Sequence, residues 1–213
     1  MLMPLDYLME KYRFKPKGIL HLGANTGQEA EMYNKMGIEF VYWVEAIPEV
    51  FRQLQINLLK YDNQDAFCAC ISDVNGKEVV FNVSNNDSQS SSFLKLGYHK
   101  EIHPTVDYVR EFKTKTIRVD KLFKSFIFGQ EWMLNADLQG GEIFALRGMG
   151  DKLNEFDYLY LELNKRETYI GCGLINEIDE YVYGYGFKRV EVAKWVGDCW
   201  TDGFYTRDHG NKR

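Results

Sequence analysis

The chain contains no run approaching the roughly 18 consecutive apolar residues that a bilayer span requires. Its opening, Met1 to Tyr12, carries Asp6 and Glu10 within the apolar pattern. No membrane span is expected, and a cytoplasmic location follows. There is also no basic excess: 26 Lys and Arg against 31 Asp and Glu give a net charge of -5, the wrong balance for a partner held through its phosphates. Nucleic acid is therefore not an expected partner. Cysteine is scarce, with four residues (Cys68, Cys70, Cys172 and Cys199) and no CxxC spacing. This leaves reduced buried thiols rather than a disulfide scaffold or a structural zinc site. No internal repeat is present, which removes the solenoid and propeller architectures.

What is present is an ordinary globular composition, 45% hydrophobic and 27% charged over 213 residues, a length that one core can serve. One domain over residues 1–213 is expected, opened by a short helix within residues 1–16. From Lys17 onward strand and helix signals alternate. Gly18 to Leu22 is a short apolar run, Gly23 to Gly27 a glycine turn, and Gln28 to Met36 a helical stretch. Phe40 to Val44 is aromatic and β-branched and ends at Glu45. Pro48 then suits a first helical turn, with Val50, Leu54 and Leu58 on one face. A third strand is read from Ala66 to Ile71, ending at Ser72-Asp73. Residues 75–130 break the alternation with a half-exposed strand (Val79, Phe81, Val83), a serine-rich loop from Asn85 to Ser92 and a strand from Thr114 to Val119. This is read as an insertion over the acceptor site. Alternation resumes with a strand from Trp132 to Ala136, a helix from Gly141 to Arg147, a strand from Tyr158 to Leu163 and a helix from Leu174 to Val182. Phe187 to Val192 and Cys199 to Tyr205 close the chain as a hairpin. The pattern predicts an α/β fold with a mostly parallel sheet and helices on both faces, because parallel strands need crossover connections. In such sheets the ligand lies beyond the carboxyl ends of the strands.

The turn Gly23-Ala24-Asn25-Thr26-Gly27 allows close approach of a ligand to backbone. Glu45, ending the next strand, is placed to accept hydrogen bonds from both hydroxyls of a ribose. Together they describe a nucleoside-containing cofactor, against the alternative of a plain tight turn and a surface carboxylate. A dinucleotide fingerprint needs GxGxxG for its pyrophosphate, and here Asn25 holds the second glycine position and Gln28 follows Gly27. S-adenosylmethionine has no phosphate and is favoured over NAD. Asp73 is then placed for the adenine amino group, with turn capping as its alternative.

At this point the sequence resembles the FkbM family of methyltransferases. The resemblance rests on Ile19-Leu20-His21-Leu22-Gly23-Ala24-Asn25-Thr26-Gly27-Gln28, on Val44-Glu45-Ala46-Ile47-Pro48, and on Asn135-Ala136-Asp137-Leu138-Gln139-Gly140-Gly141-Glu142 running into Ala145 to Gly148. It implies a Rossmann-like class I fold with a seven-stranded sheet. It also implies that Gly23, Ala24, Asn25 and Gly27 line the donor site and that Glu45 binds its ribose, with the Asp137 to Glu142 element beside the transferred methyl; His21, Ala46, Ser72, Asp73 and Asp137 complete the expected donor-site residues. Family members commonly methylate hydroxyls, so a sugar or glycan acceptor is implied, and the chain is expected either to act alone or to be one module of a larger glycan-building protein. It departs from the family ahead of Asp137, where members often carry lysine and this chain has Asn135-Ala136.

Candidate catalytic residues are Asp137, Glu162 and His103. Asp137 ends a core strand and suits a base, an orienting group, a metal ligand or a helix cap. Glu162 and Asn164 end the next strand and join it around an acceptor hydroxyl or a divalent ion. No metal ligand set is predicted. His103, like His99, lies in the insertion and titrates near neutrality. The leading expectation is an S-adenosylmethionine-dependent O-methyltransferase acting on a sugar or related small metabolite. The alternatives are an NAD-dependent sugar oxidoreductase and a binding module without turnover.

Overall fold

The computed structural model describes residues 1–207; the last six positions of the expected 1–213 domain lie outside the described residues. Chain order runs α1 (Leu5–Tyr12), β1 (Gly18–Leu22), α2 (Ala30–Lys35), β2 (Phe40–Glu45), α3 (Pro48–Leu58), β3 (Gln64–Cys68) and β4 (Cys70–Ile71). The middle segment supplies β5 (Glu78–Ser84), α4 (His99–Ile102), β6 (Tyr108–Ile117) and α5 (Val119–Leu122). The second half adds β7 (Trp132–Ala136), α6 (Glu142–Met149), β8 (Tyr158–Asn164), α7 (Ile175–Tyr183), β9 (Phe187–Val192) and β10 (Trp200–Arg207).

Seven strands form one sheet in the order β3-β2-β1-β7-β8-β10-β9. Neighbours from β3 to β8 pair in parallel, whereas β10 runs antiparallel to both β8 and β9. The expected hairpin is thus present, with β10 slotted between β8 and β9. Alternate side chains of the central strands feed two cores. Leu20, Leu22, Leu134, Leu159 and Leu161 face α6 and α7, and Ile19, Val41, Trp43, Met133 and Tyr160 face α1 to α3. That period-two division is what a sheet covered on both faces requires.

The sheet reverses its winding between β1 and β7, since β1 pairs with β2 on one side and β7 on the other. Residues just beyond these strands, Gly23, Ala46 and Asp137, therefore flank one crevice.

Several boundaries differ from the sequence reading. The first helix occupies only Leu5–Tyr12, and α2 begins at Ala30 because residues 27–29 complete the glycine turn. The third strand is not continuous through Ile71. The Ala69 amide still bonds the Glu45 carbonyl at 2.9 Å, but Cys70 and Ile71 peel away to pair with Thr116 and Ile117 of β6. The middle segment is correspondingly more ordered than a lid loop. β5 and β6 pair antiparallel over their length, and with β4 they make a second sheet in the order β4-β6-β5. Among the described residues, no helix is long and apolar enough to cross a membrane.

Candidate active site

A cavity of about 570 Å³ opens at the switch point, within the size range of small-molecule and cofactor sites. One end is built from the tips of β1, β2 and β4. Gly23 sits at φ +83°, and a Cβ there would lie 1.8 Å from the Asp137 carbonyl oxygen, so only glycine lets the first turn pass the end of β7. The Gly23 and Ala24 amides both bond the Val44 carbonyl at 3.0 Å, which fixes the turn to β2. Asn25 is also left-handed, at φ +46°. Its amide donates to Glu45 Oε2 at 2.9 Å, while Glu45 Oε1 accepts from the Ile47 amide at 2.7 Å. Glu45 is buried, and that burial pushes its carboxyl up to about 7 against the lowering effect of the Ile47 and Asn25 amides.

The structure brings His21, Gly23, Asn25, Glu45, Ala46 and Asp137 to the cavity. Ala24 and Gly27 are not among its lining residues. Ala24 is buried in the core beneath the turn, and Gly27, at φ +77°, makes room for Leu54, whose Cδ1 lies 2.7 Å from where a Cβ would stand. Ser72 and Asp73 do not reach the cavity either. Once the strand breaks at Ala69, Cys70 and Ile71 end the wall instead, and Asp73 is occupied with the Ser72 hydroxyl and, through its carbonyl, with Arg118. Ala69, Cys70, Ile71, Ile47, Phe81 and Phe93 thus form an apolar pouch next to Glu45. Phe81 and Phe93 come from the middle segment, and nothing in the sequence alone indicated that they would return to the donor end.

The other end holds Asp137 and Glu162, with His99 and His103 from around α4, and with Gln139, Tyr169 and Trp200. Asp137 is open to the cavity; the protein enclosing that floor, and secondarily the Asp202 charge, push its carboxyl up to about 6. Glu162 is buried and raised well above the usual range by burial and by its acidic neighbours Glu142, Asp137 and Asp202. Glu142 is wholly buried and rises to about 8 for the same leading reason. His99 falls to about 4 by burial, with the nearby His103 second, so its ring is neutral at neutral pH; Ser90 Oγ lies 3.0 Å from its Nε2. His103 lies beside it with its ring tilted by 50° and the centroids 5.0 Å apart. Asn135, two positions before Asp137, is buried. Its amide donates to the Tyr33 hydroxyl at 2.9 Å and lies 3.4 Å from His21 Nδ1. His21 in turn stacks on Trp43 and is pushed down to about 4 by burial, so this position belongs to a neutral polar knot under the site. Among the described residues no group of three or more His, Cys, Asp or Glu side chains is arranged to hold a metal ion.

The donor set fits an adenosyl sulfonium. An apolar pouch beside a buried carboxylate suits adenine and ribose, and the acidic floor suits a cationic sulfur. The glycine arrangement does not suit a pyrophosphate. Fold and site together therefore define a Rossmann-like methyltransferase that uses S-adenosylmethionine. The chain belongs to the FkbM methyltransferase family, whose domain model matches residues 21–189. No curated protein matches it. Solved structures share the fold at low identity. Fibrillarin from Aeropyrum pernix, solved with S-adenosylmethionine natively bound, is 14% identical with a TM-score of 0.51, covering 91% of this chain and 67% of that one. A proposed RNA methyltransferase from Pyrococcus horikoshii is 13% identical with a TM-score of 0.50, covering 97% and 81%. A proposed tRNA methyltransferase from Streptococcus pneumoniae, in complex with S-adenosylmethionine, is 12% identical with a TM-score of 0.50, covering 97% and 73%. The nicotinamide alternative is thereby set aside.

Proposed function

We propose that the chain is an O-methyltransferase whose acceptor is a hydroxyl of a sugar, glycan or related small metabolite. The observation that carries this reading is the chemistry of the cavity wall: carboxylates, amides, serine hydroxyls and aromatic rings line it, and no Lys or Arg side chain does so among the described residues. Such a wall accepts hydrogen bonds from hydroxyls and offers Tyr169 and Trp200 as faces for a sugar ring. It opposes phosphate and carboxylate groups, which would enter among Glu29, Asp137 and Glu162 without a Lys or Arg side chain to pair with. RNA, named for some relatives of the fold, is for that reason not the acceptor in this reading.

The donor supplies an electrophilic methyl group on sulfur. The chain's own residues hold the acceptor in line and manage its proton. Asp137, ending β7 and open to the cavity, is the group that accepts the proton as the hydroxyl oxygen forms its bond to carbon, with His103 as the second candidate at the cavity rim. Incubation with methyl-labelled donor and a panel of neutral methyl hexosides, read by mass spectrometry, tests the reading. One labelled methyl on oxygen is the expected product. Transfer to nitrogen alone, or to RNA in preference to every glycoside, overturns it.

A further inference from the structure

Within the Asp137 to Glu142 element, one side chain ties the acceptor end together. Gln139 takes a left-handed backbone, φ +52°, followed by Gly140 at φ +91°, and this turns its side chain back over the end of β7. Its amide nitrogen donates to Asp137 Oδ1 at 2.5 Å and to Glu162 Oε2 at 3.1 Å. Its side-chain carbonyl accepts from the hydroxyl of Tyr169 at 2.5 Å. Its main-chain carbonyl accepts from Ser92 Oγ at 2.9 Å. The strand ends of β7 and β8, the serine-rich loop and the segment around Tyr169 therefore meet at one residue.

We propose that Gln139 is the positioning residue for methyl transfer: its single amide group, shared between Asp137 and Glu162, holds one oxygen of Asp137 and leaves the other for the acceptor hydroxyl. A primary amide has two hydrogens, and both are spent on the two carboxylates. Tyr169, itself buried, fixes the amide's orientation, because the reverse flip would set a carbonyl oxygen against two carboxylates. Asp137 Oδ2 makes no hydrogen bond within the described residues, although Asp137 lines the cavity. Glu162 is held from its other side by the Asn164 amide at 3.2 Å, so it is the anchored member of the pair and Asp137 the one with a free oxygen.

The groups that face Asp137 set the expected pH response. They are Asp202 of β10, whose carboxylate accepts from the Tyr160 hydroxyl, Glu162 of β8, Glu142 at the start of α6, Glu29 ahead of α2, His21 of β1 and the Met1 amino group. The acids all favour the protonated form of Asp137, and the Gln139 amide opposes them by bonding the charged form. Removing that amide moves the titration of Asp137 upward, and putting a carboxylate in its place moves it further.

The inference rests on the hydroxyl-acceptor reading, and its test separates the two. The Asp137 carboxyl is titrated by carbon-13 NMR in the full chain saturated with S-adenosylhomocysteine, in wild type, Gln139→Ala and Gln139→Glu. The pH profile of kcat/KM is measured on whichever methyl hexoside accepts the label. In Gln139→Ala the Asp137 titration and the acid limb of the profile both move up by about one pH unit. kcat falls by roughly tenfold or more while acceptor KM stays within about threefold, the signature of lost orientation rather than lost binding. Gln139→Glu keeps the size and the Tyr169 contact and moves the limb further. An unmoved Asp137 titration in both variants overturns the proposal, as does an activity loss that follows only their melting temperatures. If wild type methylates no hydroxyl at all, the acceptor reading has failed, and the NMR titration still decides whether Gln139 governs Asp137.

Discussion

At the scale of single residues, two glycines with nearly the same backbone show how contact rather than conformation sets importance. Gly23 and Gly129 lie at φ +83° and +85°, so each pays a similar backbone penalty on substitution. A Cβ at Gly129 meets nothing within 4 Å, whereas at Gly23 it meets the Asp137 carbonyl oxygen at 1.8 Å. Gly129→Ala should cost about 1 to 2 kcal/mol and leave binding of S-adenosylhomocysteine unchanged in calorimetry. Gly23→Ala should cost roughly twice that or more, since the turn and the end of β7 must separate, and should abolish measurable binding. Wild-type affinity in Gly23→Ala would show that this turn does not form the donor wall. The glycine turn and Glu45 were legible in the sequence because each sits at the end of a strongly patterned strand. Gln139 and Tyr169 were not legible: they lie 30 positions apart, and only the left-handed backbone at Gln139 brings them together.

At the scale of elements, strands emerged where the pattern placed them; the apolar runs of β1 and β7 and the mixed polar and apolar run of β9 match their predicted limits residue for residue. The misreading fell on the third strand, where Ala66 to Ile71 looks continuous and the break at Ala69 is imposed by pairing with β6, far along the chain. Asp73 reads as facing the adenine, with Ser72 beside it in the donor site, for that reason, and the same break leaves both outside the cavity lining. The relocation depends on α6 packing tightly against this segment. Gly148 in α6 would place a Cβ 2.3 Å from the Ser72 carbonyl oxygen and 3.6 Å from the Arg118 Cα. Helix propensity alone favours Gly148→Ala by about 1 kcal/mol. The clash with backbone is the larger effect, because neither partner is a flexible side-chain end. The variant should therefore melt at a lower temperature than wild type, and its β4 amides should exchange faster. A raised melting temperature would mean that α6 has room that the contact denies it.

At the scale of the whole molecule, the same buried groups that serve the site make its stability depend on pH, and the sign follows from which state holds more protons. His21 and His99, pushed down to about 4, bind protons more readily when unfolded. Their contribution is complete above the ordinary histidine range and is lost as pH falls toward 4. Glu45, Glu142 and Glu162, all raised, bind protons more readily when folded, so stability falls as pH rises from the ordinary carboxylate range through their folded values. Between about pH 4.5 and 6.5 the two sets oppose each other. Above about 6.5 the histidines are neutral in both states and only the carboxylates act. The ligand-free chain should lose melting temperature steadily from pH 6.5 to pH 8.5, although its surface ion pairs are unchanged over that range. Glu142 is the largest of these carboxylate contributors with a defined value, up to about 8, and its Oε2 has no hydrogen-bond partner among the described residues. Glu142→Gln removes its titration while keeping an oxygen for the Leu138 amide, which Oε1 accepts, so it should flatten the slope even if it lowers stability at every pH. A cationic donor offsets the accumulating negative charge, so saturating S-adenosylmethionine should raise the melting temperature more at pH 8.5 than at pH 6.5, and neutral adenosine should not. Parallel melting curves for the free wild type and Glu142→Gln would mean that the site's acids titrate in the folded chain as they do in the unfolded one.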